Sequence, residues 1–175
     1  LVVLRAGGNR LEAPPDLCHA PMLRELHLNE NRLTASPALA WHPHLTTLNL
    51  QDNHIPTLSS LSGCPRLREL NVSFNRLTDL HALLATLVGI TSLASLQVSD
   101  NPCTSGRETT AMLLTRLPWL AELNHDAIDR ESARKGALQS LGTAPLAATA
   151  LLRAQLVANR PMLGAVRSGA SVGAV

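Results

Sequence analysis

The stretch LRELNVSFNRL, residues 67–77, follows the pattern L-x-x-L-x-L-x-x-N-x-L, in which one asparagine stands among regularly spaced leucines. The same pattern occupies residues 23–33 and 45–55, at intervals of 22 residues, and a weaker copy occupies residues 1–11. A fifth, partial copy at residues 93–101 follows after 26 residues. Five copies in register predict a solenoid, in which each copy forms one coil and buries its apolar side chains against its neighbours.

Within each coil, alternating leucine and polar residues predict a short parallel strand. In the second coil, Leu26 and Leu28 are expected to point into the core and His27 towards the concave face. The return segments carry apolar residues at about every third position, which predicts loose or 3₁₀-like convex returns. The longer return after Leu77 predicts a short α-helix. The sequence therefore predicts an α/β solenoid, a right-handed superhelix with short parallel strands on its concave face.

The asparagine that recurs in each coil is predicted to be structural. The sharp turn after each strand would leave buried backbone groups without partners, and an asparagine side chain can both donate to them and accept from them. We call this column the asparagine ladder; its members are Asn9, Asn31, Asn53, Asn75 and Asn101.

Three segments are expected along the chain. Residues 1–104 contain about five repeats, which are expected to continue upstream because the chain begins at the first position of a repeat. Residues 105–135 form a cap, with a helix at residues 106–116 and another from about Asp129. Between these helices, three leucines are expected to point inward: Leu117, Leu120 and Leu123.

Residues 136–175 form a basic Ala/Leu-rich tail without Asp, Glu or aromatic residues. Residues 143–159 are predicted to form a helix, with Thr143 as its N-cap and Pro161 beyond its end. Two interpretations stay open for this segment: a tail without fixed structure, or a helix that docks on a partner.

The composition limits the core and the compartment. Only 2% of residues are aromatic against 45% apolar, so the core must be aliphatic. The three large aromatic residues are expected to pack against it, with the phenylalanine at the edge of the concave face; they are Trp41, Trp119 and Phe74. The three cysteines are scattered, which favours a reducing, intracellular location.

Three groups of residues could carry chemistry. They are His42 with His44, Glu25 with His27 and Glu30, and Gly7 with Gly8. The histidine pair has no further ligands at metal-binding spacing, the acid–base group lies on an open face that does not exclude water, and no Lys-Ser/Thr follows the glycines. We therefore expect no catalytic residue, no metal and no cofactor.

Stacked coils align equivalent residues into columns, and these columns are the candidate binding surfaces. The concave face comprises Glu25, His27, Asn29, Thr47, Asn49, Gln51, Glu69, Asn71, Ser73, Phe74, Ser95 and Gln97. An acidic lip beside it comprises Glu30, Asp52 and Asp100. The position after the ladder asparagine forms a basic rim, which comprises Arg10, Arg32, His54 and Arg76. The rim is interpreted either as solvated residues that keep the array soluble or as part of a two-signed docking surface.

The 22-residue period and the segment N-P…L-P-x-L-x-x-L…E of residues 101–131 resemble the intracellular leucine-rich repeat proteins. That class includes the regulatory subunit of type-1 protein phosphatase, the spliceosomal A-prime protein and the leucine-rich light chain of axonemal outer-arm dynein. Two departures from the class predict a looser cap: Asn124 replaces the usual Asp, and Thr109 and Thr110 stand where an aromatic residue is usual.

The resemblance implies a non-catalytic, protein-binding subunit of a larger cytoplasmic assembly. We expect a cytoskeletal or ciliary (axonemal) scaffold whose partners include tubulin or axonemal subunits. The alternatives are a phosphatase regulatory subunit and a spliceosomal RNA–protein component. No small-molecule substrate or membrane is expected, and nucleic acid is disfavoured by the acidic solenoid and its lack of stacking aromatic residues.

Overall fold

A computed structural model describes residues 1–58, 61–106 and 108–129 of the chain. The predicted helix of residues 143–159 and the predicted cap helix from about Asp129 lie outside these residues. None of the helices in the described ranges has the length and apolar character needed to cross a bilayer.

One seven-stranded sheet runs through the repeats in the order of the chain. Its strands are β1 (Val3–Arg5), β2 (Glu25–His27), β3 (Thr47–Asn49), β4 (Glu69–Asn71), β5 (Ser95–Gln97), β6 (Glu122–Leu123) and β7 (Asp126–Ala127). Strands β1 to β6 pair in parallel, each with the next, and residues one repeat apart stand opposite each other. The predicted parallel-strand solenoid is confirmed.

The core is a stack of aliphatic side chains, as the composition predicts. The central leucine of each middle strand is at most 1% exposed: Leu26, Leu48, Leu70 and Leu96. Burying one leucine contributes about 1.5–3 kcal/mol, so a single coil cannot offset the entropy of ordering its backbone. Stacked coils share their buried surfaces, which makes the sheet and the core one structure.

The convex returns of the first three coils are built from tight turns wherever the structure describes them. In these turns an N–H donates to the carbonyl three residues earlier, as where Cys64 N–H donates to Leu61 O (2.9 Å) and Leu67 N–H donates to Cys64 O (3.1 Å). The extra residues of the fourth return form the predicted helix, α1 (Leu80–Leu87). The Asp79 side chain caps α1 by accepting from two backbone N–H groups of its first turn.

The C-terminal end of the repeats combines predicted and unpredicted elements. After a 3₁₀ turn at Pro102–Thr104, helix α2 spans Thr109–Arg116, three residues shorter at its start than predicted. The three leucines expected to point inward are buried: Leu117, Leu120 and Leu123. Strand β7 then pairs antiparallel with β6 through Asn124 and His125, both with positive φ, as in the tight hairpin turns that match strand twist. This hairpin was not predicted.

Asn124, which replaces the Asp usual in the class, still accepts hydrogen bonds from the backbone. Its Oδ1 accepts from Val98 N–H (2.8 Å) and Ser99 N–H (3.2 Å), just after the end of β5. An asparagine oxygen therefore caps these two backbone groups.

The expected packing role of the aromatic residues is wrong for two of the three. Trp41 is 83% exposed and Phe74 is 52% exposed, whereas Trp119 packs partly buried against the core. The 22-residue spacing gives Trp41 the position that Gly63 has in the next coil. A Cβ on Gly63 would collide with the backbone of Leu39 and Ala40, so the two coils approach each other closely here.

Candidate protein-binding surface

The asparagine ladder fixes the backbone that carries the candidate surface. Asn53 Nδ2 donates to Leu28 O (2.9 Å) in the preceding coil and to Leu50 O (3.1 Å) in its own coil. Its Oδ1 accepts from Leu33 N–H (2.9 Å). The same set of bonds recurs around Asn31, Asn75 and Asn101. The predicted structural role of the ladder therefore has a direct geometric basis.

Asn9 closes the ladder at the first coil with a reduced set of bonds. Its Nδ2 donates to Ala6 O (3.0 Å) and Gly7 O (3.2 Å) within its own coil, and its side chain is exposed. Ala6 O also accepts from Asn31 Nδ2 (2.9 Å), so the ladder is continuous from the first coil onward.

The residue before each ladder asparagine has left-handed backbone geometry, a feature that the sequence reading missed. The residues in this column are Gly8, Glu30, Asp52, Phe74 and Asp100, with φ between 54° and 69°. Glycine and aspartate adopt this geometry more readily than other residues, and their recurrence before Asn was an available signal. The column coincides with the acidic lip, with Phe74 inserted between Asp52 and Asp100.

The concave face lies where the sequence places it. Register pairs Glu25, Thr47, Glu69 and Ser95 in one column and His27, Asn49, Asn71 and Gln97 in the next. Two predicted contact residues are buried, however: Ser73 (6% exposed) and Gln97 (8% exposed). Ser73 is a short side chain between Gln51 and Ser99 of its column, and Gln97 folds towards Ser95 (Nε2 to Oγ, 3.5 Å). They form the floor of the face and offer little contact area.

Several concave side chains are held in place by the protein itself. Asn49 Oδ1 accepts from Gln51 N–H and Asn71 Oδ1 accepts from Ser73 N–H, each at 3.0 Å. Asn71 Nδ2 also donates to Gln51 Oε1 at 3.0 Å. These bonds fix the side chains before any partner arrives, which reduces the entropy lost on binding.

The centre of the concave face is a shallow, open groove. It has a volume of about 210 Å³ and is lined by residues of β2 to β5, including His27, Asn49 and Glu69. Small-molecule pockets usually enclose about 300–1,000 Å³, so this groove suits contact with a protein surface better than enclosure of a small molecule.

The hypothetical acid–base group assembles only in part. Glu25 Oε2 lies 3.4 Å from His27 Nε2 and 3.1 Å from an Arg5 guanidinium nitrogen. Glu30 instead accepts from Asn29 Nδ2 at 3.2 Å. The carboxylate of Glu25 is thus shared between two cationic or polar neighbours on an exposed strand, an arrangement that preorganises a charged surface.

The basic rim follows the ladder along one edge. Arg10, Arg32 and Arg76 are exposed, and His54 is half-buried. The backbone N–H groups of Arg32, His54 and Arg76 each donate to a carbonyl of the preceding coil at 2.9–3.0 Å. Within the described residues, the rim arginines make no ion pair with the acidic lip, so their guanidinium groups are available to a partner.

The histidine pair does not come together as a metal site. His42 is buried and its Nε2 lies 3.2 Å from Leu17 O, while His44 is half-buried. Across the described part of the chain, no three His, Cys, Asp or Glu side chains converge on a common point. His42 occupies the place that Cys64 has in the next coil, and Cys64 Sγ makes the equivalent contact to Leu39 O (3.6 Å).

Comparisons with known proteins address the fold. A leucine rich repeat family model matches residues 21–77. The solved SNF/U2A' complex of Drosophila melanogaster gives a TM-score of 0.72 at 23% identity, over 86% of this chain and 87% of that chain. The Mex67:Mtr2 subunits of Chaetomium give 0.36 at 25% identity, over 43% and 48% of the two chains. InlJ from Listeria monocytogenes gives 0.47 at 22% identity, over 73% and 35%. No curated protein matches the sequence significantly.

The Drosophila match extends over most of both chains and shows a shared fold. The family match covers the repeats whose strands, aliphatic core and asparagine ladder are described above. Over residues 21–77 this chain is therefore similar to the leucine-rich repeat family.

Proposed function

We propose that this solenoid is a non-catalytic protein-binding module that serves as a structural or scaffolding subunit of a larger intracellular assembly. The observation that carries the proposal is the set of concave side chains fixed by hydrogen bonds within the sheet, above all Asn49, Asn71 and Gln51. Polar side chains held in an open, shallow groove fit a protein surface, because little order has to be created on binding.

The basic rim indicates that the partner carries an acidic segment. Arg32 and Arg76 project from the coils on either side of His54 and have no carboxylate partner within the described residues. Arginine binds carboxylates bidentately, so an acidic segment running along the rim is complementary to it. An acidic tubulin tail has this chemistry, and we propose a cytoplasmic assembly of the cytoskeleton or cilium.

A second candidate is a protein subunit of an RNA–protein assembly. It is favoured by the likeness to a chain of the SNF/U2A' complex over most of both chains. In that case the concave face still binds protein, and RNA contacts belong to the partner. The partner that co-purifies separates the candidates: an RNA-binding protein supports this one, and a cytoskeletal or ciliary protein supports the first.

The test compares binding variants on the partner that co-purifies at physiological salt. Reversal of Arg32 and Arg76 to Glu should slow association and reduce its salt dependence, because the rim steers an acidic segment. Asn49→Trp should block the groove sterically and raise the dissociation constant about tenfold or more. Surface plasmon resonance at several salt concentrations measures both effects.

The matched control changes the convex side. Ala38 and Ser62 are exposed in convex returns, so Ala38→Glu with Ser62→Glu should leave binding unchanged. If this convex pair abolishes binding while the concave and rim variants bind normally, the proposed surface is wrong.

A further inference from the structure

Phe74 is out of place in its column. Every other residue before a ladder asparagine is glycine or acidic, and all have left-handed backbone geometry. A bulky residue pays a steric cost in this geometry. Packing of the Phe74 ring does not offset this strain, since the residue is 52% exposed. The ring therefore lies exposed at the edge of the concave face and contributes little to the packing of the core.

Charge around Phe74 defines the chemistry that would cover it. Asp52 and Asp100 occupy the same column in the coils on either side, and Phe74 N–H donates to Ser99 O (3.0 Å), next to Asp100. Adjacent coils are about 4.8 Å apart, so both carboxylates lie within side-chain reach of a group placed on the ring. Asp52 and Asp100 are exposed and make no ion pair within the described residues.

A polar cleft continues the same surface beyond the lip. It lies between the end of β5 and helix α2, and it is lined by Ser99, Asp100, Thr104, Thr110 and other residues. Hydroxyl and carboxylate oxygens dominate these side chains, and all of them accept hydrogen bonds. The surface beside Phe74 thus offers acceptors and negative charge.

We propose that Phe74, together with Asp52 and Asp100, docks an arginine of a basic segment in the protein partner, an inference that rests on the proposed function. The guanidinium is planar, stacks on aromatic faces and binds carboxylates through two donors. A ring flanked by two carboxylates satisfies both preferences at once. A lysine would pair with the carboxylates but has no planar group to stack on the ring, and an apolar side chain would contact only the ring.

The opposite charges of the lip and rim then have a joint role. Each ladder asparagine has a lip residue before it and a rim residue after it. Asn53 lies between Asp52 and His54, and Asn75 lies between Phe74 and Arg76. A partner that presents a basic segment to the lip and an acidic segment to the rim is fixed in one direction along the solenoid. Charge patterns of this kind set the register of an interface more than its affinity.

The chain offers a direct probe, because Phe74 is its only phenylalanine. Protein grown with 4-fluorophenylalanine carries one ¹⁹F signal, at Phe74. We expect titration with the peptide acetyl-Gly-Arg-Gly-Arg-Gly-amide to shift this signal saturably. The lysine version should bind about threefold to tenfold more weakly, as should the Arg peptide to the Asp52→Asn, Asp100→Asn double variant. The glutamate version of the peptide should leave the signal unchanged.

Three results would overturn the inference: no saturable shift with the arginine peptide, an equal response to the lysine peptide, or an undiminished response in the double variant. A signal that shifts with protein concentration alone would instead show that a second copy of the chain covers Phe74. The native partner distinguishes this inference from the proposed function. If Asn49→Trp abolishes the native complex but Asp52→Asn, Asp100→Asn and Phe74→Leu leave it intact, the concave proposal stands and the arginine site does not.

Discussion

Replacement of Asn53 by alanine tests how the ladder holds the coils together. Leu33 N–H has Asn53 Oδ1 as its only acceptor in the described part of the chain, so the variant leaves this buried donor unpaired. The carbonyls that Asn53 serves keep one partner each, because Leu28 O still accepts from Asn31 and Leu50 O from Asn75. One orphaned donor costs about 1–3 kcal/mol and the lost carbonyl bonds add to it, so we expect a loss of about 2–4 kcal/mol.

Urea unfolding followed by circular dichroism measures this loss as a change in the free energy of unfolding. The matched control is His54→Ala at the next position, where the backbone bond from His54 N–H to Leu33 O remains. A half-buried surface side chain of this kind should change stability by less than about 0.5 kcal/mol. Asn9→Ala is a second control, because Asn9 is exposed and bonds only within its own coil. Equal losses for Asn53→Ala and His54→Ala would refute the reasoning.

Three further predictions concern stability. Gly63→Ala should cost about 1–3 kcal/mol, because a Cβ there would collide with the Ala40 backbone, whereas Gly89→Ala has open space and should be tolerated; thermal melts compare the two. Phe74→Asn should raise the free energy of unfolding by about 0.5–1 kcal/mol, since asparagine tolerates left-handed geometry better; no gain in urea unfolding would contradict the strain. Burial raises the pKa of the Cys64 thiol from 9.0 to about 11, so its stabilising contribution is complete below pH 9 and is lost as pH rises through about 11. Cys64→Ala should flatten that alkaline loss.

The sequence predicted most of what depends on the 22-residue period. Strand positions, inward leucines and the ladder asparagines all repeat, and a repeated pattern constrains every coil at once. Backbone geometry was harder to predict, because the left-handed column includes Glu30 and Phe74, residue types with no preference for it. The exposure of Trp41 was not predicted either.

The candidate site was predicted in outline and corrected in detail. Register placed Glu25, Asn49 and Glu69 on one face, as expected from strand alternation. Burial of Ser73 and Gln97 depends on the lengths of neighbouring side chains in the same column, which strand alternation does not specify. The hairpin of β6 and β7 lies beyond the last repeat, where no period guides the prediction.

Site-specific cross-linking within the native assembly tests the central claim most directly. A photoreactive benzoylphenylalanine is placed at Asn49 on the concave face or at Ala38 on the convex side, and the irradiated complex is analysed by mass spectrometry. The proposed function predicts that position 49 captures a defined segment of one partner polypeptide and that position 38 captures none. Capture of the partner at position 38 without capture at position 49 would show that the solenoid is held by its convex surface, contrary to the proposal.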